Sequence, residues 1–330
     1  MDDNNSDQNF PVNPTQNGKG PLSGITPLFF IFIALSVVFF LYQIVGGMLT
    51  FMLLGEDLQS MDENLNLTRI IMSFAQFMFI LFPSVILVML RGDNIKETFR
   101  LNKPKMSVLF FAVIGILAVQ PFLQVFLYYQ NEFIFSLPFG QEVIKQMKDL
   151  FEMLESTTEK LVIAKSLPEF ILITFVIAVT PAFSEEFLFR GLVLKYFEKI
   201  IPPAKAIFFS GLLFSLFHFH PFNIIPLTIL GIFLSFMVYH SGSIYTAVIC
   251  HFINNFISAS AVYLYGTESL GSDKMSSEEQ IQFLMLGAAS VVVFLFVIFM
   301  IKKYSVMKNS GDFNDKFNQY NSDNITASDE

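Results

Sequence analysis

The chain has 330 residues, of which 53% are apolar and only 15% are charged, and its mean hydropathy is +0.57. Soluble domains carry about 25% charged residues, so the composition excludes an ordinary soluble domain and predicts a polytopic membrane protein with the lipid bilayer as a partner. The net charge of -8 argues against nucleic acid as a partner. The single cysteine, Cys250, excludes an intrachain disulfide.

Two polar tails are expected to flank one transmembrane domain. Residues 1–22 are acidic, rich in Pro, Gly and Asn, and lack the basic start of a secretory signal, which predicts a disordered tail. Residues 304–330 have the same character. Residues 23–303 are predicted to form an all-α bundle of about eight transmembrane helices with a buried polar cavity.

Eight apolar runs reach or approach the length needed to span a membrane. In chain order they lie at 25–54, 70–90, 106–129, 169–196, 204–220, 222–240, 243–265 and 281–301. The fifth and sixth runs are nearly continuous, so the chain must turn sharply between them at His220 and Pro221.

Basic residues collect on one side of this eight-helix arrangement. They crowd the connections after the second and fourth runs and follow the eighth, whereas the opposite connections near 55–69 and 266–280 carry one each. Cytoplasmic loops carry an excess of Lys and Arg, so both tails are predicted to be cytoplasmic. The long 130–168 connection is an exception with four lysines, and its apolar residues from Val143 to Leu154 predict an amphipathic helix along the outer interface.

The interior of the fourth run carries three charged residues, Glu185, Glu186 and Arg190. Each charge at the centre of a spanning helix costs roughly 2.5–3.5 kcal/mol on insertion scales, so such residues usually face a bundle interior and serve a function. Glu186 and Arg190 are four residues apart and are predicted to pair on one face. Glu185 lies about 100° round the helix without such a partner, which leaves it available as a base toward water.

Thr180 and Pro181 precede these charges by about one turn. A proline there should break or kink the helix and open room for water beside Glu185. The structural alternative is that Glu185, Glu186 and Arg190 form an ion-pair cluster that only holds the bundle together.

Two further runs each carry one histidine well inside the membrane. Phe214 and His218 share one face of the fifth run, and His251 and Asn255 share one face of the seventh. A lone membrane histidine is more often a packed, hydrogen-bonded group than a ligand. However, rises of about 1.5 Å per residue place Glu185, His218 and His251 roughly 18, 21 and 12 Å from the cytoplasmic ends of their helices. Three separate helices thus bring polar groups into one layer, which packing alone explains poorly.

Together these motifs resemble those of the CPBP family of intramembrane proteases, which includes the CAAX prenyl endopeptidases and bacteriocin-processing or immunity proteins of the Abi type. The resemblance covers about residues 165–262. It is carried by Glu185-Glu186-Phe187-Leu188-Phe189-Arg190, by Phe214 to His218, and by His251 to Asn255, in that order on three predicted helices.

The resemblance implies hydrolysis of a peptide bond inside the membrane, in a peptide or membrane-protein substrate. Glu185 and His218 would activate a water molecule. His251 and Asn255 would stabilise the oxyanion, a task that needs donors fixed in a dry site. Arg190 would hold Glu186 and the helix geometry, with Phe214 in a supporting position.

The family is traditionally described as metalloproteases, and this leaves a zinc alternative open. Glu185, His218 and His251 could supply two histidines and a carboxylate to zinc with one open position. Such a site would use Glu185 as a ligand and leave Glu186, turned toward Arg190, as the other base. A metal-free mechanism without a cofactor is therefore favoured, and zinc is the alternative.

Two rival classes of function are also considered. A proton- or ion-coupled transporter would place Glu, His and Asn at mid-membrane, although the halves show no inverted repeat. A non-catalytic scaffold or bacteriocin self-immunity protein could keep the cluster only for folding. His220, His240 and Cys250 are expected to have ordinary structural roles.

Overall fold

The computed structural model describes residues 20–54, 64–136, 140–266 and 276–306. At residues 54, 135 and 151–159 it describes the backbone only. Every regular element in these ranges is helical. The predicted disordered tails fall outside them except for a few residues at each edge. The chain is an all-α polytopic membrane protein, as its composition and apolar runs predict.

The described residues form nine helices of more than one turn, and a single turn at Ile95–Thr98. The helices are α1 Pro27–Leu53, α2 Leu65–Arg91, α3 Met106–Ser136, α4 Gln141–Val162, α5 Leu167–Phe197, α6 Pro203–Leu216, α7 Ile224–Ser241, α8 Ile244–Tyr265 and α9 Ser277–Lys303.

Seven of these helices are long and apolar enough to cross a membrane, and α4 and α6 are the two that are not. Helix α6 is apolar but has only 14 residues. It was expected to run from 204 to 220, but it ends at Leu216, and a turn leads from there into α7. The eight predicted crossings therefore comprise seven full-length helices and this one short helix.

The ends of eight helices meet on one face of the bundle, as eight alternating crossings require. Arg100, after α2, forms an ion pair with Glu198, after α5. Ser243, between α7 and α8, donates its hydroxyl to the carbonyl of Asn102 at 2.6 Å. These contacts join the connections that carry the excess of basic residues. We call this side the basic face.

Ordered contacts extend slightly beyond the predicted boundaries of the transmembrane domain. The backbone N–H of Leu22 donates to the carbonyl of Leu90 at 3.1 Å, so residues before 23 already pack against the end of α2. The N–H of Val306 donates to the carbonyl of His240 at 3.0 Å, so the packed chain continues past residue 303. Backbone hydrogen bonds therefore anchor these flanking residues to the bundle.

Helices α6 and α7 cross at very short distance because each has a glycine at the crossing. A Cβ atom added to Gly231 would lie 2.7 Å from the carbonyl oxygen of Gly211, and one added to Gly211 would lie 2.4 Å from the nitrogen of Ile232. Small residues permit such close approach of membrane helices. The crossing holds α6, which leads to His218, against the bundle.

Helix α4 forms as expected for the long connection after α3. The exposed side chains in its first half include apolar Val143 and Leu150. The buried guanidinium of Arg69 on α2 contacts the other end of α4, where its Nε donates to the carbonyl of Leu161 at 2.8 Å. Nη1 of the same guanidinium donates to Glu169, at the start of α5, at 2.8 Å. The position of α4 along the outer interface stays a prediction.

Helix α5 does not break at Thr180 and Pro181, in contrast to the expectation from sequence. It continues through two wide π-helical segments, Phe175–Val179 and Phe187–Val193, which flank a regular segment at Thr180–Glu186. A wide turn before the proline accommodates its ring without ending the helix. Single π-helical turns are frequent at functional sites, and the two carboxylates lie between two of them.

Candidate active site

Glu186 is fully buried at the centre of the polar cluster. Its Oε1 accepts hydrogen bonds from Nη1 of Arg190 at 2.8 Å and from Nδ1 of His251 at 2.7 Å. The pairing of Glu186 with Arg190 is the one that their spacing predicts. The sequence does not predict the bond to His251, because this bond joins α5 to α8 and depends on how the two helices are rotated.

Arg190 is also fully buried and is held by three different kinds of contact. Besides the ion pair with Glu186, its Nη2 donates to the carbonyl of Gly231 at 3.1 Å. Its guanidinium carbon lies 4.3 Å from the centre of the Phe214 ring. Arg190 thus links α5 to both α6 and α7, which is a structural role like the one predicted for it.

Phe214 connects the charged cluster to the two histidines. Its ring centre lies 4.6 Å from that of His218 and 6.0 Å from that of His251, with the rings steeply inclined in both pairs. Phe214 is almost completely buried. Phe214 is therefore an apolar neighbour of both imidazoles.

Glu185 and His218 form a separate, partly exposed pair. Oε2 of Glu185 lies 3.9 Å from Nε2 of His218, and the two side chains are 19% and 32% exposed. Oε2 has no hydrogen-bond partner among the described residues. Glu185 is thus partly exposed beside a basic group, whereas Glu186 is fully buried with its Oε1 held by two donors.

The conformation of His218 differs from the expected helical one. Helix α6 ends at Leu216, and Phe219 has a left-handed φ of +50°, so His218 lies in a turn. Its Nδ1 lies 2.8 Å from the carbonyl of Phe214. Since a carbonyl only accepts, Nδ1 carries a hydrogen, and Nε2 is the ring nitrogen that faces Glu185.

The depth of this turn also indicates access to water. Fourteen helical residues span about 21 Å, so the turn after α6 lies well within the membrane. Non-helical backbone is tolerated at such depth only where it is buried in protein or lines a water-filled space. His218 is exposed rather than buried. Such a turn is expected to line a water-filled space beside Glu185.

Asn255 lies on α8 one turn beyond His251, and its Nδ2 donates to the carbonyl of Ile177 at 2.9 Å. In a regular α-helix that carbonyl would accept from residue 181, but Pro181 has no N–H. The proline in α5 thus leaves an acceptor that the Asn255 amide satisfies. The sequence shows both residues, but it does not show that they are partners.

Several polar side chains near the site were not singled out in the sequence. Tyr42 of α1 interacts electrostatically with Glu185 and contacts the side chain of Gln76 on α2. Gln120 of α3 and Asn254 of α8 are hydrogen-bonded to one another at 2.5 Å. A polar residue within an apolar run was the signal that could have identified each of them.

The three side chains proposed as zinc ligands are not arranged as one ligand set. Nδ1 of His251 is bound to Glu186, whereas Glu185 faces His218. Among the described residues, no group of three or more His, Cys, Asp or Glu side chains converges in a way that could hold a metal ion. The described residues thus show no zinc ligand set.

Of the remaining polar candidates, His240 and His220 make contacts outside the carboxylate cluster, whereas Cys250 lies within electrostatic reach of Glu186. His240 bonds Ser305 through Nδ1 at 2.9 Å on the basic face. His220 packs near Phe222 at the start of the connection to α7. Cys250 is buried next to His251 in the chain. These positions agree with the structural roles expected of all three.

Comparison with known families identifies the segment that carries the site. Residues 167–257, from the start of α5 to within α8, match the family model of Rce1-like type II CAAX prenyl endopeptidases. No curated protein and no solved structure matches the chain at a significant level. The matched segment contains all seven site residues, Glu185, Glu186, Arg190, Phe214, His218, His251 and Asn255. Residues 167–257 are thus similar to the Rce1-like CAAX endopeptidases, in agreement with the resemblance that the motifs carry.

Proposed function

We propose that this protein is an intramembrane endopeptidase in which Glu185 and His218 activate the attacking water. The observation that carries the proposal is the contrast between the adjacent carboxylates: Glu186 is buried and paired, whereas Glu185 is partly exposed beside Nε2 of His218. A general base must reach the proton that it removes, directly or through one water. Glu185 and His218 meet this requirement together.

In the proposed reaction, water loses a proton to the Glu185 and His218 pair, and its oxygen adds to the carbonyl carbon of the scissile bond. The carbonyl electron pair moves onto oxygen and forms an oxyanion. When the intermediate collapses, the C–N bond breaks and the departing nitrogen takes up the proton from the same pair. The products are a carboxylic acid and an amine, which exchange a proton to give a carboxylate and an ammonium group.

His251 and Asn255 are proposed to stabilise the oxyanion. Asn255 uses one amide hydrogen for Ile177 and keeps a second for a substrate. His251 bonds Glu186 through Nδ1, so donation from Nε2 requires a ring with both protons. Glu186 supplies the negative charge that compensates such a ring. Preorganised donors of this kind are often the largest single contribution to acyl-transfer catalysis.

We also propose that the basic face is cytoplasmic, with both termini on that side. The support is the excess of Lys and Arg in the connections that meet there. Glu185 lies toward the interior of α5, so a substrate peptide has to enter the membrane-embedded part of the protein. The substrate class proposed is a peptide or membrane protein with an accessible extended segment, and the proposal requires no bound cofactor.

The test is a cleavage assay with purified protein in detergent and a quenched fluorescent peptide library. Wild-type protein is expected to cleave library members, Glu185→Gln is expected to be inactive, and a chelator is expected to leave the rate unchanged. Loss of activity with chelator and recovery with zinc would favour the metal alternative. If no library member is cleaved, proton or ion flux in vesicles would instead favour a transporter. The absence of both cleavage and flux would favour a scaffold.

A further inference from the structure

Three amide side chains form a continuous hydrogen-bonded chain beside the proposed site. Nε2 of Gln120 donates to Oδ1 of Asn254 at 2.5 Å, and Nδ2 of Asn254 donates to Oδ1 of Asn255 at 3.0 Å. Nδ2 of Asn255 donates to the carbonyl of Ile177 at 2.9 Å. The chain connects α3, α8 and α5, and α3 lies outside the matched family segment.

The direction of this chain is fixed by its last acceptor. A backbone carbonyl can only accept, so Asn255 must turn its NH₂ group toward Ile177 and its Oδ1 toward Asn254. Asn254 must then present its NH₂ group to Asn255 and its Oδ1 to Gln120. The bond from Asn255 to the Ile177 carbonyl therefore sets the orientation of all three amides.

Both ends of the Asn255 amide are thereby held. With a bond at Oδ1 and another at Nδ2, the plane of the amide cannot rotate without breaking one of them. Its second N–H then points in one direction. With the bond to Ile177 alone, the amide could swing about that contact, and the remaining N–H would lose its fixed aim.

We infer that Asn254 and Gln120 are positioning residues that orient the Asn255 amide toward the oxyanion. This inference rests on the proposed function for its catalytic consequence, while the hydrogen-bonded chain can be tested without it. Removal of one oxyanion donor typically lowers kcat by about 10²–10³-fold. A donor that is present but poorly aimed loses part of the same effect.

The first experiment is a double-mutant cycle on cleavage with Asn254→Leu and Asn255→Ala. Leu resembles Asn in shape but lacks its donor and acceptor. Asn255→Ala should lower kcat by about 10²-fold or more, and Asn254→Leu should lower kcat by a smaller factor with little change in KM. The double mutant should be no slower than Asn255→Ala. Additive losses would show that Asn254 does not act through Asn255 and would overturn the inference.

Gln120→Met provides a second variant that leaves the Asn254 to Asn255 bond in place, so its loss of kcat should be smaller than that of Asn254→Leu. Ser260→Ala is the matched control, because Ser260 bonds the carbonyl of Phe256 within α8. Its kcat should equal that of wild type. A larger loss in Gln120→Met than in Asn254→Leu would contradict the proposed order of the chain.

The second experiment repeats the cycle on thermal unfolding in detergent. Asn254→Leu and Asn255→Ala remove the same hydrogen bond, so the decrease in Tm of the double mutant should be less than the sum of the two single decreases. Additive decreases would exclude the hydrogen-bonded chain. If wild-type protein cleaves no peptide, the proposed function fails, and this measurement still decides whether the chain exists.

Discussion

Glu186 and His251 are joined by a hydrogen bond of 2.7 Å between Oε1 and Nδ1, across the contact between α5 and α8. The same oxygen also accepts from Arg190. A buried carboxylate with two such donors is a fixed part of the structure and not a free base. We therefore propose Glu185, its neighbour in the chain, as the carboxylate that takes part in catalysis.

The first prediction separates the stabilities of the two neighbours. Glu186→Gln leaves the buried Arg190 guanidinium without its counter-charge, and breaking a buried ion pair from one side typically costs about 3–5 kcal/mol. We expect a lower Tm and lower yield in detergent than for wild type. Glu186→Gln combined with Arg190→Gln should recover part of the loss, because no unpaired charge remains.

Glu185→Gln is the matched control for that experiment. It removes a carboxylate that is partly exposed and not in a buried ion pair, so Tm should stay near wild type. Peptide cleavage should fall by about two or more orders of magnitude. Equal Tm values for Glu185→Gln and Glu186→Gln would mean that the structural and catalytic carboxylates have been assigned the wrong way round.

The second prediction concerns two histidines that are only two residues apart. His218→Ala removes the basic Nε2 opposite Glu185 and should abolish cleavage. His220→Ala should keep near wild-type activity, because His220 packs near Phe222 instead. Membrane abundance should be unchanged in both. Comparable loss of turnover in the two variants would indicate that the turn after α6 acts as a whole rather than through His218.

The third prediction concerns which side of the membrane the basic face lies on, and it is tested by labelling the two ends of α9. In a Cys250→Ser background, cysteine at Lys303 should react with an impermeant thiol reagent only after the membrane is opened. Cysteine at Glu278 should react in intact cells. Both side chains are exposed, so accessibility within the protein does not limit either reaction. The reverse labelling pattern would place the basic face outside.

The fourth prediction concerns the glycine crossing of α6 and α7. Gly231→Leu cannot be accommodated without separating the helices, because even a Cβ would lie 2.7 Å from the Gly211 carbonyl. Separation would also displace the Gly231 carbonyl from Arg190. We expect a lower Tm together with reduced cleavage.

Gly47→Ala on α1 is the corresponding control. A Cβ added there meets no atom of the described residues within 4 Å. Its Tm and cleavage rate should remain at the wild-type level. If Gly231→Leu also unfolded at the wild-type temperature, the close approach of the two backbones would be disproved.

Sequence periodicity was sufficient to predict the spanning helices and the contacts between residues of one helix. The bounds of seven spanning helices follow the apolar runs closely, and the Glu186 and Arg190 pair follows from their separation of four residues. Both depend only on local geometry. The family match at residues 167–257 likewise agrees with the motifs that were visible in the chain.

Contacts between helices could not be obtained in this way. The bond from His251 to Glu186 depends on how α8 is rotated relative to α5, and apolar composition does not determine that rotation. The end of α6 at Leu216 was hidden because Phe217 and Phe219 continue the apolar pattern beyond the helix. The π-helical segments were hidden for a similar reason, since Phe175–Val179 has an ordinary membrane-helix composition.

The short length of α6 has a consequence for the surrounding lipid. At about 21 Å, α6 is shorter than a hydrocarbon core of about 30 Å. Phe208, Phe209 and Leu216 expose apolar surface along it, so lipid tails contact this side. A bilayer thins locally to match a short apolar surface. We therefore expect the headgroup region to be drawn inward beside the turn that carries His218. If Glu185 is the catalytic base proposed above, acyl chain length would then influence how readily water and an extended peptide reach it.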